Sequence, residues 1–179
     1  MKIYTRRGDA GSSRQMNGHS IPKSDPQILA VGVLDETQSW IGLVISDLSP
    51  ACTQLESKLL HVQSLLYLLQ ADISIDNRCS IHDNDVTIME HEIDSMMSAV
   101  PAIHAFILPG GGHTGAQLQY ARTLARGAER ACVAFHSTRP DRVQPESMRF
   151  INRLSDYLFA MALYANHLDG IPEKMSRES

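Results

Sequence analysis

The stretch "LESKLLHVQSLLYLLQADI", residues 55–73, decides the fold class. Leu55, Leu59, Val62, Leu66, Leu69 and Ile73 recur at steps of three and four, which in an α-helix brings them onto one face. The same period governs the chain on both sides. Upstream, Ser24 or Asp25 can cap a helix with Pro26 in its first turn, and Ile28, Val31, Leu34, Ile41 and Ile45 carry the period over about 26–48 until Pro50 ends it. Pro50 restarts the chain into the helix that reaches about residue 73. Downstream, "DVTIMEHEIDSMMSAV" (85–100) repeats Val86, Met89, Ile93 and Met96 or Met97 before Pro101. "FILPGGGHTG" (106–115) is an apolar run stopped by Pro109 and Gly110 to Gly112, after which Thr114 can cap "AQLQYARTLARGAERACVAFHS" (116–137). A last helix runs from about Pro145 to His167, with Met148, Ile151, Leu154, Leu158, Met161 and Ala165 on one side.

Five long helices with short connections predict an all-α fold, a five-helix bundle. No internal repeat, linker or convincing strand alternation interrupts the chain, so residues 1–179 read as a single domain. Residues 1–25 form an N-terminal loop, 26–168 the bundle, and 169–179 a polar tail expected to fray.

A chain of 179 residues is long enough to bury roughly two-thirds of its unfolded surface. Its 43% apolar and 20% charged residues are those of an ordinary globular protein. The net charge of −4 provides no general field for nucleic acid or an anionic membrane, so an anion site must be a local cluster. The N-terminus lacks the apolar core of a signal peptide, and no apolar run approaches the roughly 20 residues that cross a bilayer. The expected location is cytoplasmic. Cys52, Cys79 and Cys132 share no zinc-binding spacing and read as reduced thiols.

Local clusters do occur. Arg122, Arg126 and Arg130 are four apart and stack along one side of their helix, with Glu129 on the neighbouring face. Like charges at that spacing oppose helix formation by about 0.2–0.5 kcal/mol per pair, so an anion should compensate them. It could be acids on a neighbouring helix, or a polyphosphate, whose oxygens match the forked donors of a guanidinium. Asp35 and Glu36 interrupt an apolar helix and call for a cationic partner across helices or subunits, for which Arg122 is the candidate. In "INRLSDYLF" (151–159), Asn152, Ser155 and Asp156 share one turn, with Arg153 between them; these polar groups need a ligand or an adjacent helix.

The opening "YTRRGDAGSS" (4–13) is a GxxG loop, not a P-loop. Gly8 and Gly11 can expose successive N–H groups, Thr5, Ser12 and Ser13 add hydroxyls, and Arg6, Arg7 and Lys23 add charge, all suited to phosphate oxygens. In "IHDNDVTIMEHEID" (81–94), Glu90 and His91 are adjacent, whereas a carboxylate-bridged metal pair in a bundle needs Glu-x-x-His. No metal ligand is assigned.

Taken in order, "IYTRRGDAGSS", "KSDP", "VLDE", "FILPGGG", "ARTLARGAER" and "NRLSDYLF" resemble the PduO-type ATP:cob(I)alamin adenosyltransferase family over about residues 2–165. The resemblance implies a trimer of five-helix bundles of ferritin-like form, with ATP and a corrinoid bound between subunits. It implies transfer of the 5′-deoxyadenosyl group of ATP to the cobalt of cob(I)alamin, with release of triphosphate. By motif, the loop of Thr5, Arg6, Arg7, Gly8, Asp9, Gly11, Ser12 and Ser13, with Lys23, would wrap the triphosphate and its Mg²⁺. Arg126, Glu129 and Asn152 would contact ATP, with Ser155 beside them; Asp35 and Arg122 would bridge subunits beside the cobalamin, and Phe106 would occupy the lower face of cobalt. A flavin-type reductase and an adenosylcobalamin-dependent enzyme are the implied partners.

The chain also departs from the pattern. Ala10 stands where the family commonly has lysine, "DETQS" replaces "DELNS", and no C-terminal aromatic counterpart is evident. A carrier or sensor that binds without turnover is therefore the alternative reading.

Overall fold

The computed structural model describes residues 3–176. The expected loop and tail also include residues 1–2 and 177–179, which lie outside the described residues. Five helices carry the fold: α1 (Pro26–Ser46), α2 (Glu56–Ser74), α3 (Asp83–Ala99), α4 (His113–Thr138) and α5 (Pro145–Leu168). Asp25 caps α1, its carboxylate accepting from the Gln27 N–H at 2.9 Å, and Pro26 begins the helix without needing a donor. Pro50 opens a 3-10 turn, Pro50–Leu55, before α2 begins. At the start of α3 the Asp85 carboxylate accepts from the His82 N–H at 2.8 Å.

The helices pack in the spatial order α2, α1, α4, α5, α3. A polar contact closes the bundle: the Tyr157 hydroxyl of α5 and the Lys58 amine of α2 both donate to Glu92 of α3. The apolar faces read from the sequence meet inside, with Leu34, Ile41, Leu59, Leu66, Ile151 and Leu158 fully buried. The three cysteines form no disulfide, and burial pushes the Cys132 thiol up to about 12.

Several expectations need correction. Thr114 does not cap α4, which begins one residue earlier after Gly112; its buried hydroxyl oxygen instead accepts from the Ser49 N–H at 2.9 Å. Two short strands are present, β1 (Ser12–Arg14) and β2 (Ser20–Pro22), paired antiparallel with Ser13 opposite Ile21. Three-residue strands of mostly polar side chains give no legible alternation. Helix α1 is, by length and composition, apolar enough to cross a membrane. It is a bundle helix nonetheless, since Ala30, Leu34, Ile41 and Val44 are buried and it packs on α2 and α4.

The tail does not fray over its described part. The Leu108 N–H donates to the Lys174 carbonyl and the Ser176 N–H to the Phe106 carbonyl, each at 2.8 Å, with Ile107 and Met175 forming an antiparallel bridge. Backbone pairing needs no apolar side chains, so a polar tail can supply it.

The glycine run before α4 has a steric cause. Asn166 of α5 is fully buried, and a β-carbon at Gly115 would stand 1.9 Å from its Oδ1, one at Gly111 2.2 Å from its Nδ2. Gly111 also holds φ +108°, a conformation side chains disfavour. Gly115→Ala is therefore expected to overpack the α4–α5 contact and lower stability by about 1–3 kcal/mol. Urea unfolding checks it; an unshifted midpoint would mean that Asn166 moves aside freely.

Candidate functional site

Helices α4 and α5 and the irregular segment after α3 enclose a cleft of about 600 Å³. Helix α4 contributes Gln119, Arg122 and Arg126 at steps of three and four, hence on one face; α5 contributes Ser155, Asp156 and Phe159 by the same arithmetic. The segment contributes Ile103, Phe106 and Pro109. The cleft therefore brings together Phe106, the Arg122–Arg126 pair and Ser155, from three separate segments of the chain.

One wall is cationic. Arg122 donates through Nε to Gln119 Oε1 at 3.0 Å and lies 5.9 Å from the centre of the Phe159 ring. Burial, then repulsion from Arg126, lowers its pKa. Among the described residues, neither Arg122, Arg126 nor Arg130 has an acidic ion-pair partner. Asp156 lines the cleft, but its carboxylate accepts from Arg153 at 3.1 Å. Within the subunit no helix supplies the compensating acid, so this wall is open to an anion from outside the subunit.

The other wall is apolar. Phe106 is 89% exposed, an unusual position for a phenyl ring, and stands at the cleft with Ile103, Phe159 and Leu163 around it. One turn beyond Arg126, Glu129 accepts from Asn152 Nδ2 at 2.6 Å, so these two candidates form a preset pair linking α4 to α5.

The glycine loop is organised separately. The Lys23 N–H donates to the Gly11 carbonyl at 2.9 Å, and its ammonium lies 3.3 Å from where a Gly8 β-carbon would stand. The Arg7 N–H donates to Thr5 Oγ1 at 3.4 Å, the Gly11 N–H to the Gly8 carbonyl at 3.1 Å, and Gly11 holds φ +80°. Arg6 holds φ +61°, rare for a residue with a side chain. Arg6, Arg7, Asp9 and Ala10 are exposed, and Lys23 brings to the loop a cation that Ala10 cannot.

A buried polar knot fastens this loop to the bundle. Gln27, 2% exposed, accepts from Gln15 at 2.7 Å and from Arg139 at 3.0 Å, and donates to the Ile73 carbonyl at 2.9 Å. Arg139 also donates to Asp25 at 2.7 Å. The knot lies at the far end of α4, thirteen residues past Arg126, or about 20 Å at ~1.5 Å per residue. Among the described residues, none of the loop lines the arginine cleft of its own subunit.

Asp35 and Arg122 do not pair within the subunit. Asp35 and Glu36 are exposed on the outer face of α1, so neither carboxylate is buried there. Gln119, Phe159 and Asn166 escaped the sequence reading. Gln119 is 3% exposed, lines the cleft, and its Nε2 has no partner among the described residues, leaving a donor free for a ligand. Its position one turn before Arg122 was the available signal; for Asn166 the signal was Gly111 and Gly115, residues that make room for something.

The profile of the cobalamin adenosyltransferase family matches residues 3–165. The chain is 34% identical over 176 residues to a corrinoid adenosyltransferase of Bacillus subtilis, covering 96% of this chain and 90% of that one. It is 37% identical over 174 residues to the corrinoid adenosyltransferase PduO of Citrobacter freundii, covering 93% of this chain and 50% of that longer protein. Among solved structures, a variant PduO-type ATP:corrinoid adenosyltransferase of Lactobacillus reuteri complexed with cobalamin and ATP superposes with a TM-score of 0.91. That match is at 35% identity over 99% of this chain and 100% of the other.

The loop anchor has a pH signature. Burial alone would raise the Asp25 pKa, but the hydrogen bond from Arg139, the Gln27 N–H and the arginine charge together hold it below its usual value. A depressed folded-state pKa adds stability that is present above the unfolded value, about 4, and is lost as pH falls through the lower folded value. The stability difference between wild type and Asp25→Asn is expected to be full at neutral pH and to shrink below about pH 4. Urea titrations across that range check it; a constant difference would remove the carboxylate from the anchor.

Proposed function

The chain belongs to the cobalamin adenosyltransferase family, and from that premise we propose that it transfers the 5′-deoxyadenosyl group of ATP to the cobalt of cob(I)alamin, releasing triphosphate. The observation that carries the reading is the cleft in which Arg122 and Arg126, unpaired by any acid among the described residues, face Phe106 across an apolar space. It suits two substrates, one polyanionic and one a large flat ring system.

Cob(I)alamin is the nucleophile. Its cobalt donates an electron pair to C5′ of ATP, the Co–C bond forms as the C5′–O bond breaks, and triphosphate leaves with that bond's electrons. No proton moves, so the chain need supply no general base; its work is to align the two substrates and stabilise charge on the leaving group. Arg126 would hold phosphate oxygens, with the Glu129–Asn152 pair fixing the nucleotide beside it. The loop of Thr5 to Ser13, with Lys23 and Arg7, would wrap the triphosphate. The described residues contain no group of three or more metal-ligating side chains, so Mg²⁺ is assigned to the triphosphate as part of the nucleotide.

Phe106 would act before transfer. A lower axial ligand donates electron density to cobalt and makes cob(II)alamin hard to reduce; an apolar ring in that place excludes both water and the dimethylbenzimidazole base.

The working unit is proposed to be a homotrimer. The glycine loop and its own subunit's cleft lie at different heights along α4, so a neighbour's loop is needed to complete the site. Helix α1 offers a surface for it: Leu29 and Leu43 are about half exposed and, with Val33 and Trp40, follow steps of three and four around Glu36. Asp35 on that helix would meet Arg122 across the seam. A cytoplasmic location, a flavin-type reductase that delivers the electron and an adenosylcobalamin-dependent enzyme that takes the product complete the reading.

An anaerobic assay with chemically reduced cobalamin and Mg-ATP tests the function: adenosylcobalamin and triphosphate should appear together, whereas tight binding without turnover would favour the carrier or sensor. Arg126→Ala is expected to lower turnover by at least about 100-fold, the scale of losing one charge-stabilising donor, with unfolding unchanged; near-normal turnover would remove this arginine from the mechanism. Phe106→Ala should slow adenosylation that starts from cob(II)alamin plus reductant more than adenosylation of preformed cob(I)alamin. Equal losses would count against the apolar wall.

A further inference from the structure

Phe106 stands on a segment that belongs to no helix, and its ring is almost wholly exposed. A ring that works by excluding a ligand must hold its place before the substrate arrives, because a mobile one leaves room for water. The structure shows what holds it. Beside it, the Ser176 N–H donates to the Phe106 carbonyl and the Leu108 N–H to the Lys174 carbonyl, with Ile107 bridged to Met175. Beyond it, Asn166 accepts from the Gly112 N–H at 2.9 Å and donates to the Gly110 carbonyl at 3.2 Å. The same Asn166 amide donates to Glu173 at 2.8 Å, so one buried side chain anchors both the tail and the segment the tail pairs with.

We propose that the tail segment 173–176, fixed by Asn166 through Glu173, is a positioning element for Phe106. It sets the height of the ring at the mouth of the cleft and so serves the cob(II)alamin reduction step. Its contribution is made by backbone groups, which explains how a polar stretch can hold an apolar wall. This inference rests on the reading of Phe106 as that wall.

Ser176→Pro in the full chain removes the N–H that donates to Phe106 and touches nothing in the bundle, while Ser176→Ala keeps it. Losing one hydrogen bond predicts that Ser176→Pro slows adenosylation from cob(II)alamin plus reductant by about 3- to 10-fold. Its rate with preformed cob(I)alamin should stay within about twofold of wild type, and Ser176→Ala should match wild type in both assays. The fraction of bound cob(II)alamin lacking a lower ligand, read by electron paramagnetic resonance with Mg-ATP present, should fall in Ser176→Pro alone of the two.

Phe106→Ala run in parallel separates the two claims. If it shows no difference between the assays, the wall itself is wrong. If it does and Ser176→Pro behaves like Ser176→Ala, or loses equally in both assays, the wall stands and the positioning role of the tail is overturned.

Discussion

A buried amide must find partners for its oxygen and nitrogen or destabilise the fold that encloses it. Asn166 satisfies both at the place where the end of α5 crosses the start of α4, and much of the site end of the molecule follows from it. Its oxygen takes the N–H of Gly112, the residue before α4, and its nitrogen serves Gly110 and Glu173. Its own carbonyl accepts from the Ile171 N–H at 2.8 Å, turning the chain back at the end of α5. Room for it exists only because Gly111 and Gly115 have no side chains. One residue thus sets the entry to α4, the direction of the tail and, between them, the segment that carries Phe106.

The charge pattern of α4 is the complementary feature. Arg122 and Arg126 are held near each other, one of them half-buried, and no acid among the described residues offsets them. A fold selected for stability alone would pair or remove such charges. Their place beside an apolar wall fits the proposed reaction, in which donors already in place would need no reorganisation when charge develops on the leaving group. The Glu129–Asn152 hydrogen bond extends the same preorganisation by one helical turn.

At the opposite end of α4, Gln27 and Arg139 tie the glycine loop to the starts and ends of three helices. The hairpin, the Asp25 cap and the last turn of α2 share this one buried junction, which ties the loop to the bundle. Its distance from the arginine cleft is the structural argument for a site divided between subunits.

Helix positions were legible from residue spacing because burial of one face is a local, periodic constraint, and α1, α2 and α5 lie close to where Pro26, Pro50, Leu55 to Ile73 and Pro145 place them. The motif residues of the loop, of "ARTLARGAER" and of "NRLSDYLF" were legible as well, since unusual polar groups in helices need a use. Less was readable in Thr114, which looks like a cap and is a buried acceptor; in the hairpin, whose strands are too short to alternate; and in the tail, whose polarity suggested fraying. The sequence by itself determined an all-helical bundle, its family and the chemical types of its candidate site residues. Only the tertiary structure decided that Phe106, Arg122, Arg126 and Ser155 share one cleft, that Asp35 is exposed and does not pair with Arg122 within the subunit, and that the tail pairs beside Phe106. Those outcomes depend on contacts between segments distant in sequence and on backbone groups every residue carries, and neither leaves a periodic mark in the chain.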